Sequence, residues 1–191
     1  CAPTNPYGAT KLAVERLLAD VSHANGMTFS ILRYFNAAGA DHSGKIGERH
    51  QPETHLIPLV LQVAIGERES IKIFGDDYST PDGTCLRDYV HVSDLTRDHL
   101  LALEHLLAGG ANTTFNLGNS TGYSVRQIIE TAREITGHAI PAETVARRAG
   151  DPAVLIADSG KIRQALGWQP AYEDVADIIR SAWKWHQQEA G

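Results

Sequence analysis

Long apolar runs, an excess of positive charge and paired cysteine motifs are all missing from this 191-residue chain. A bilayer-spanning helix needs roughly 20 consecutive apolar residues, and no stretch comes near that, so a membrane span is excluded. The formal net charge is -6, which argues against nonspecific nucleic-acid binding. An anionic ligand would have to be held by a few locally placed Arg or Lys residues. Cys1 and Cys85 form no redox or metal-ligand spacing, so the chain reads as cytosolic. Also missing is a glycine-rich turn between a strand and a helix, the device that lets backbone amides approach phosphates. Gly44-x-x-Gly47 comes nearest, but it lies in a polar loop with no strand before it. The chain opens without Met just before an apparent helix start, and we expect it to be part of a longer chain.

What is present begins with Tyr7-Gly8-Ala9-Thr10-Lys11. Residues four apart lie on one helix face, about 5–6 Å apart, so a phenol and an ammonium would sit side by side. Thr4 or Asn5 as N-cap, Pro6 in the first turn and apolar Val14, Leu17, Leu18 and Val21 predict a helix that Gly26 closes. Tyr7 and Lys11 fall in register with Val14 and Leu18, which predicts that they extend an inward-facing stripe. Residues 28–35 read as a sheet strand ending at Asn36, where ligands collect in a parallel α/β sheet. Residues 40–53 read as a long surface loop, and 56–65 as a helix with Pro58 in its first turn.

Further along, 71–74, 89–92 and 113–117 read as strands. Ser93 is the predicted cap of a helix to about residue 107, and Ser124 with Gln127 forms a capping box for a helix ending at Gly137. Arg147 and Arg148 form a basic loop before Asp151, and two closing helices carry Trp168, Trp183 and Trp185. The class is therefore α/β, with too few strong strands for a complete doubly wound sheet. His50, Glu53 and His55 are loop-borne and lack HExxH spacing, so no metal site is expected.

Four blocks together resemble the UDP-glucose 4-epimerase family of extended short-chain dehydrogenase/reductases. They are Asn5-Pro6-Tyr7-Gly8-Ala9-Thr10-Lys11, Leu32-Arg33-Tyr34-Phe35-Asn36, the run Asp82-Gly83-Thr84-Cys85-Leu86-Arg87-Asp88-Tyr89-Val90-His91-Val92, and Arg147-Arg148-Ala149-Gly150-Asp151-Pro152. The Tyr-x-x-x-Lys pair marks only the superfamily, whereas the Asp-Gly-Thr-x-x-Arg-Asp-Tyr run is far more specific. The resemblance spans the chain but omits the family's N-terminal nucleotide-binding half. It implies the C-terminal part of a Rossmann-type doubly wound parallel sheet plus a smaller mixed α/β substrate-binding domain. Residues 1–36 would be the remnant of the NAD-binding domain and 37–191 mainly the UDP-sugar-binding domain, with about 85–118 returning to the Rossmann sheet.

The resemblance also implies chemistry and roles. Inverting C4 of a hexose requires removing a hydride and a hydroxyl proton and returning both to the opposite face. Tyr7 would be the base, with NAD as hydride acceptor. A free phenol has a pKa near 10 and needs neighbouring positive charge to act at neutral pH, which Lys11 and the oxidised nicotinamide would supply. Lys11 would also hold the nicotinamide ribose, and Phe35 would border the nicotinamide. Arg87 and Arg148 would take the diphosphate, because guanidinium offers a rigid fork of donors. Asn36 would contact sugar and phosphate, His55 and Leu56 the diphosphate, and the backbone of Lys72, Ile73 and Phe74 the uracil. Asp151 would accept from the uridine ribose. Leu155 stands where the family sets room for an N-acetyl group. His55 departs from the Asn that many members carry.

UDP-glucose and UDP-galactose are the expected substrates, with N-acetylated sugars and UDP-pentoses as alternatives and a homodimer as the expected assembly of the full-length enzyme. Alone, the chain is expected to be inactive. A sibling 4,6-dehydratase or uronate decarboxylase is a second reading. A dehydratase would want an acidic pair beside the centre, and the retained helix and strand offer none. A third reading is a non-catalytic UDP-sugar-binding module.

Overall fold

The computed structural model describes residues 2, 3 and 5–189, so Cys1 and the alternative cap Thr4 lie outside the described residues. Asn5 is the N-cap of helix α1 (Pro6–Asn25), its side-chain oxygen accepting from the Gly8 amide at 2.8 Å. Gly26 ends that helix at φ 68. The expected inward stripe is not formed: α1 buries no residue, and Tyr7, Val14 and Leu17 are 71, 54 and 61% exposed. Periodicity selects the apolar face of a helix, but burial needs a partner surface, and the described residues do not cover Tyr7, Val14 and Leu17. Arg33 donates from Nε to Glu15 at 2.6 Å and makes a second, shorter bond from Nη2, while Asn112 donates to Ser22 at 2.8 Å.

Strand β1 (Ser30–Tyr34) is followed after one residue by β2 (Asn36–Ala38), so the strand does not end at Asn36 but changes neighbours at Phe35. Then come α2 (Leu56–Ala64), β3 (Ile71–Phe74), β4 (Leu86–His91), α3 (Val92–Leu107), β5 (Thr113–Leu117) and β6 (Gly122–Ser124). Next are α4 (Val125–Thr136), β7 (Ala142–Val145), β8 (Val154–Leu155), α5 (Gly160–Leu166) and α6 (Val175–Glu189). Strand β1 pairs in parallel with β5, β2 with β4, and β3 with β7. Strand β4 also takes β8 in parallel and β6 antiparallel. The short strands β6, β7 and β8 carry no alternation of their own and exist because a longer partner supplies the ladder.

Successive side chains of a strand face opposite ways, and β4 uses this to divide two cores. Tyr89 joins a cluster in which Ile57, Val60 and Leu61 of α2 meet Ile128 and Ile129 of α4 and Ile178 and Ile179 of α6. Val90 joins the other, with Leu95 of α3, Phe115 and Leu117 of β5, Ile162 of α5 and Trp168. Trp168 lies just beyond α5 and is fully buried, while Trp183 and Trp185 are on α6.

One residue before Tyr89, and so on Val90's side of the strand, Asp88 is buried, its carboxylate accepting from the amides of Asn119 (2.9 Å), Ser120 (3.0 Å) and Ala157 (3.1 Å). Burial raises its carboxyl above the ordinary value, against the pull of those three donors. The approach requires Gly118, where an added Cβ would lie 2.5 Å from Asp88 Oδ2. The helix after β4 starts two residues earlier than the Ser93 cap predicted: His91 is the N-cap, its Nδ1 accepting from the Ser93 amide at 3.0 Å.

Candidate active site

Strand β4 and the turn before it build one wall of a cavity. Gly83, at φ 79, lets the chain double back so closely that a Cβ there would lie 1.9 Å from the Asp76 carbonyl oxygen. The Thr84 amide and hydroxyl both donate to Asp82, at 2.9 and 2.8 Å, and Tyr78 donates its amide to the Gly83 carbonyl at 2.9 Å. With the turn fixed, residues 85, 87 and 89 project to one side. The cavity of about 420 Å³ that they border is of the size that takes a small ligand.

Its lining brings together nine residues expected from the sequence: Asn36, His55, Leu56, Lys72, Ile73, Phe74, Arg87, Arg148 and Asp151. Arg87 donates from Nη2 to Asp151 Oδ1 at 2.6 Å and from Nη1 to the Leu86 carbonyl at 2.8 Å. One side of its fork is thereby oriented by protein. Arg148 lies with its guanidinium carbon 3.8 Å from the centre of the Phe74 ring, a cation–π stack that holds the charge at the cavity wall. Asn36 spends its amide nitrogen on the Asp88 carbonyl, at 2.8 Å, which orients its side-chain oxygen. Three guanidinium groups, of Arg68, Arg87 and Arg148, and the Lys72 ammonium at one cavity, in a chain of net charge -6, make a local anion site.

His55 is the N-cap of α2 but makes no capping bond with its side chain. Its Nδ1 instead meets Glu53 Oε1 and Glu48 Oε1, both at 2.9 Å. His50 Nδ1 lies 3.8 Å from Glu53. The histidines expected to be scattered therefore converge with two carboxylates, because a loop can gather residues that no helical spacing would link.

Tyr7, Lys11, Phe35 and Leu155 are not among the cavity-lining residues. Lys11 Nζ lies 5.2 Å from the centre of the Tyr7 ring, so the pair is adjacent as its spacing predicts, but it faces solvent. Leu155 is 44% exposed on β8, opposite Arg87 in the ladder. An exposed phenol and ammonium fit the hydroxyl groups of a nicotinamide ribose. No helix of the described residues begins at a glycine-rich turn after a strand, so they offer no cradle for a dinucleotide's pyrophosphate.

The sequence reading missed Cys85, Tyr89 and Glu53 in the wall. Cys85 and Tyr89 could have been found from Arg87, because they sit two residues to either side of it on the same strand face. Burial raises the Tyr89 phenol well above its ordinary range, leaving it neutral.

Comparison with known proteins gives this arrangement its relatives. Residues 1–118 match the model of the NAD dependent epimerase/dehydratase family. The chain is 56% identical over 186 residues to a UDP-glucose 4-epimerase of Halalkalibacterium halodurans, covering 97% of this chain and 56% of that protein. A crystal structure of a UDP-glucose 4-epimerase superposes with TM-score 0.95 at 57% identity, over 98% of this chain and 57% of that one. The enzyme of that name from Bifidobacterium longum, in complex with NAD+ and UDP, superposes with TM-score 0.91 at 39% identity, over 98% and 56%. The chain thus spans little more than half the length of the relatives it matches. With the matched model covering well over half of its residues, the chain belongs to the NAD dependent epimerase/dehydratase family.

Proposed function

We propose that this chain supplies the UDP-gripping cavity and the proton-transferring tyrosine of a UDP-glucose 4-epimerase that interconverts UDP-glucose and UDP-galactose. The observation that carries the reading is the convergence of Arg87, Arg148, Lys72 and Asn36 on one cavity. The Bifidobacterium longum relative, solved with NAD+ and UDP, supports it. Arg87 and Arg148 would bind the diphosphate through charge-assisted hydrogen bonds, Phe74 and its neighbours on β3 would hold the uracil, and Asp151 the ribose. Residues 1–36 would belong to the cofactor-binding unit and 37–191 mainly to the sugar-nucleotide unit, with about 85–118 in the Rossmann sheet.

In this mechanism the Tyr7 phenolate oxygen takes the proton of the 4-hydroxyl and later returns it to the 4-oxygen. Lys11 stabilises the negative charge on Tyr7 and orients the ring. Bound NAD would supply reversible hydride transfer at C4, with Lys11 holding the nicotinamide ribose and Phe35 bordering the nicotinamide. Between the two transfers the 4-keto sugar turns over, while the chain's arginines keep the diphosphate fixed. Tyr7 stands outside the cavity lining, so the rest of a longer chain would have to bring cofactor and sugar to it. The same surroundings, a galactose-metabolising cytoplasmic enzyme and a homodimer, belong to this proposal.

The test joins this chain to the matching N-terminal half of a relative and assays UDP-galactose conversion. The joined enzyme should convert it, and Tyr7→Phe should remove the activity while leaving UDP binding intact. Full activity in that variant would refute the assigned base.

A further inference from the structure

We infer that the loop before α2 is a binding site for a tetrahedral divalent cation of the zinc class, with Glu48, His50, Glu53 and His55 as its ligands. The four offer one ligand atom each, all within 4.8 Å of one another. Zinc binds imidazole nitrogen and carboxylate oxygen at about 2.0–2.2 Å, so tetrahedral ligands stand roughly 3.3–3.6 Å apart. The contacts of 2.9, 2.9 and 3.8 Å around His55 and Glu53 bracket that spacing. Small side-chain shifts would therefore close the shell. The two carboxylates also balance a 2+ charge, and the nearest candidate cation in the sequence is turned away, Arg49 being paired with Glu189 on α6.

The loop is held as a metal site requires. Glu53 has only 7% of its side chain exposed, and its Oε1 accepts from the Thr54 and His55 amides at 2.6 and 2.7 Å. The Trp185 indole donates to the Glu48 carbonyl at 3.2 Å, and Gly47 packs so tightly on Trp185 that a Cβ would lie 2.3 Å from the ring. The His50 and His55 rings lie with centres 5.3 Å apart, tilted 46° to each other. Glu53 and His55 also line the cavity, so the ion would pin its rim without depending on what the cavity binds.

The chain, stripped with a chelator, is titrated with Zn2+ alone by calorimetry and with Co2+ alone by visible absorption. One equivalent should bind, and Co2+ should give the intense bands of a four-coordinate ion. His50→Gln, at a ring nearly half exposed, should weaken binding by at least about tenfold without disturbing the fold, as should Glu48→Gln, whereas His138→Gln, just beyond the C-terminal end of α4 and outside the four-residue cluster, should change nothing. Absence of saturable binding, or equal affinity in the wild type and His50→Gln, would overturn the assignment.

Discussion

Helix α1 and the α2–α4–α6 body hold the two halves of the proposed chemistry in opposite ways. The body buries Ile128, Ile178 and Ile179 completely, and the start of its helix α2 borders the cavity together with β3 and β4. Helix α1 buries nothing and is attached through Glu15–Arg33 and Ser22–Asn112 at its polar side. Binding groups are thus set by a packed core, whereas Tyr7 and Lys11 are set only by helix geometry. The chain thus holds the proposed grip on a packed body and the proposed base on an uncovered helix.

The sharpest way to break this contrast is chemical. In the joined enzyme, Tyr7→Phe should lower turnover by about 10²–10⁴-fold, the usual contribution of a positioned proton carrier, with UDP affinity unchanged in calorimetry. A matched loss of UDP affinity would merge the two regions that we separate.

Stability should divide along the same line. Ile178→Ala should cost about 2–5 kcal/mol in urea unfolding, since Ile178 is fully buried. Leu17→Ala, at a position 61% exposed, should cost less than about 0.5 kcal/mol.

Acid and base act differently on the two regions. Asp98 is fully buried on α3 with neither oxygen hydrogen-bonded, and its pKa is pushed up to about 7 by desolvation, then by Asp94, against Arg97. Unfolding would return it to about 4, so the folded state binds the extra proton between those values and loses stability as pH rises from 4 to 7. Asp98→Asn, on α3 and outside that body, should therefore stabilise the fold by about 1–3 kcal/mol at pH 8, the penalty of an unpaired buried group, and much less at pH 4 in thermal melts.

On α1, the Arg33 hydrogen bond holds the Glu15 carboxyl below its usual value. A depressed carboxyl contributes stability above its unfolded pKa and loses it as pH falls through the folded one. Glu15→Gln should loosen α1 by about 1 kcal/mol at pH 7, read as faster amide exchange confined to that helix, and the difference should vanish in acid.

How much of this was legible in the sequence follows the same division. Local chemistry reads well: Asn5, Gly26, the Ser124–Gln127 box and Gly137 mark helix ends where the structure has them. Of the nine cavity residues, Asn36, Arg87, Arg148 and Asp151 were legible because motif blocks on separate elements carried them, and the other five only through what the family resemblance implies, although only the fold puts Phe74 under Arg148. Burial of α1 was not legible, because periodicity names a face and says nothing of what covers it. The gathering of Glu48, His50, Glu53 and His55 was not legible either, since a loop's path is set by tertiary clamps such as Trp185 on Gly47.

The central claim is that the body alone is a formed UDP site, and calorimetric titration of UDP and NAD into the 191-residue chain tests it most directly. The account predicts saturable UDP binding that Arg148→Ala weakens by about tenfold or more, the worth of a charge-assisted hydrogen bond, and no measurable NAD binding. No UDP binding, or UDP binding that survives loss of Arg148 undiminished, would contradict it.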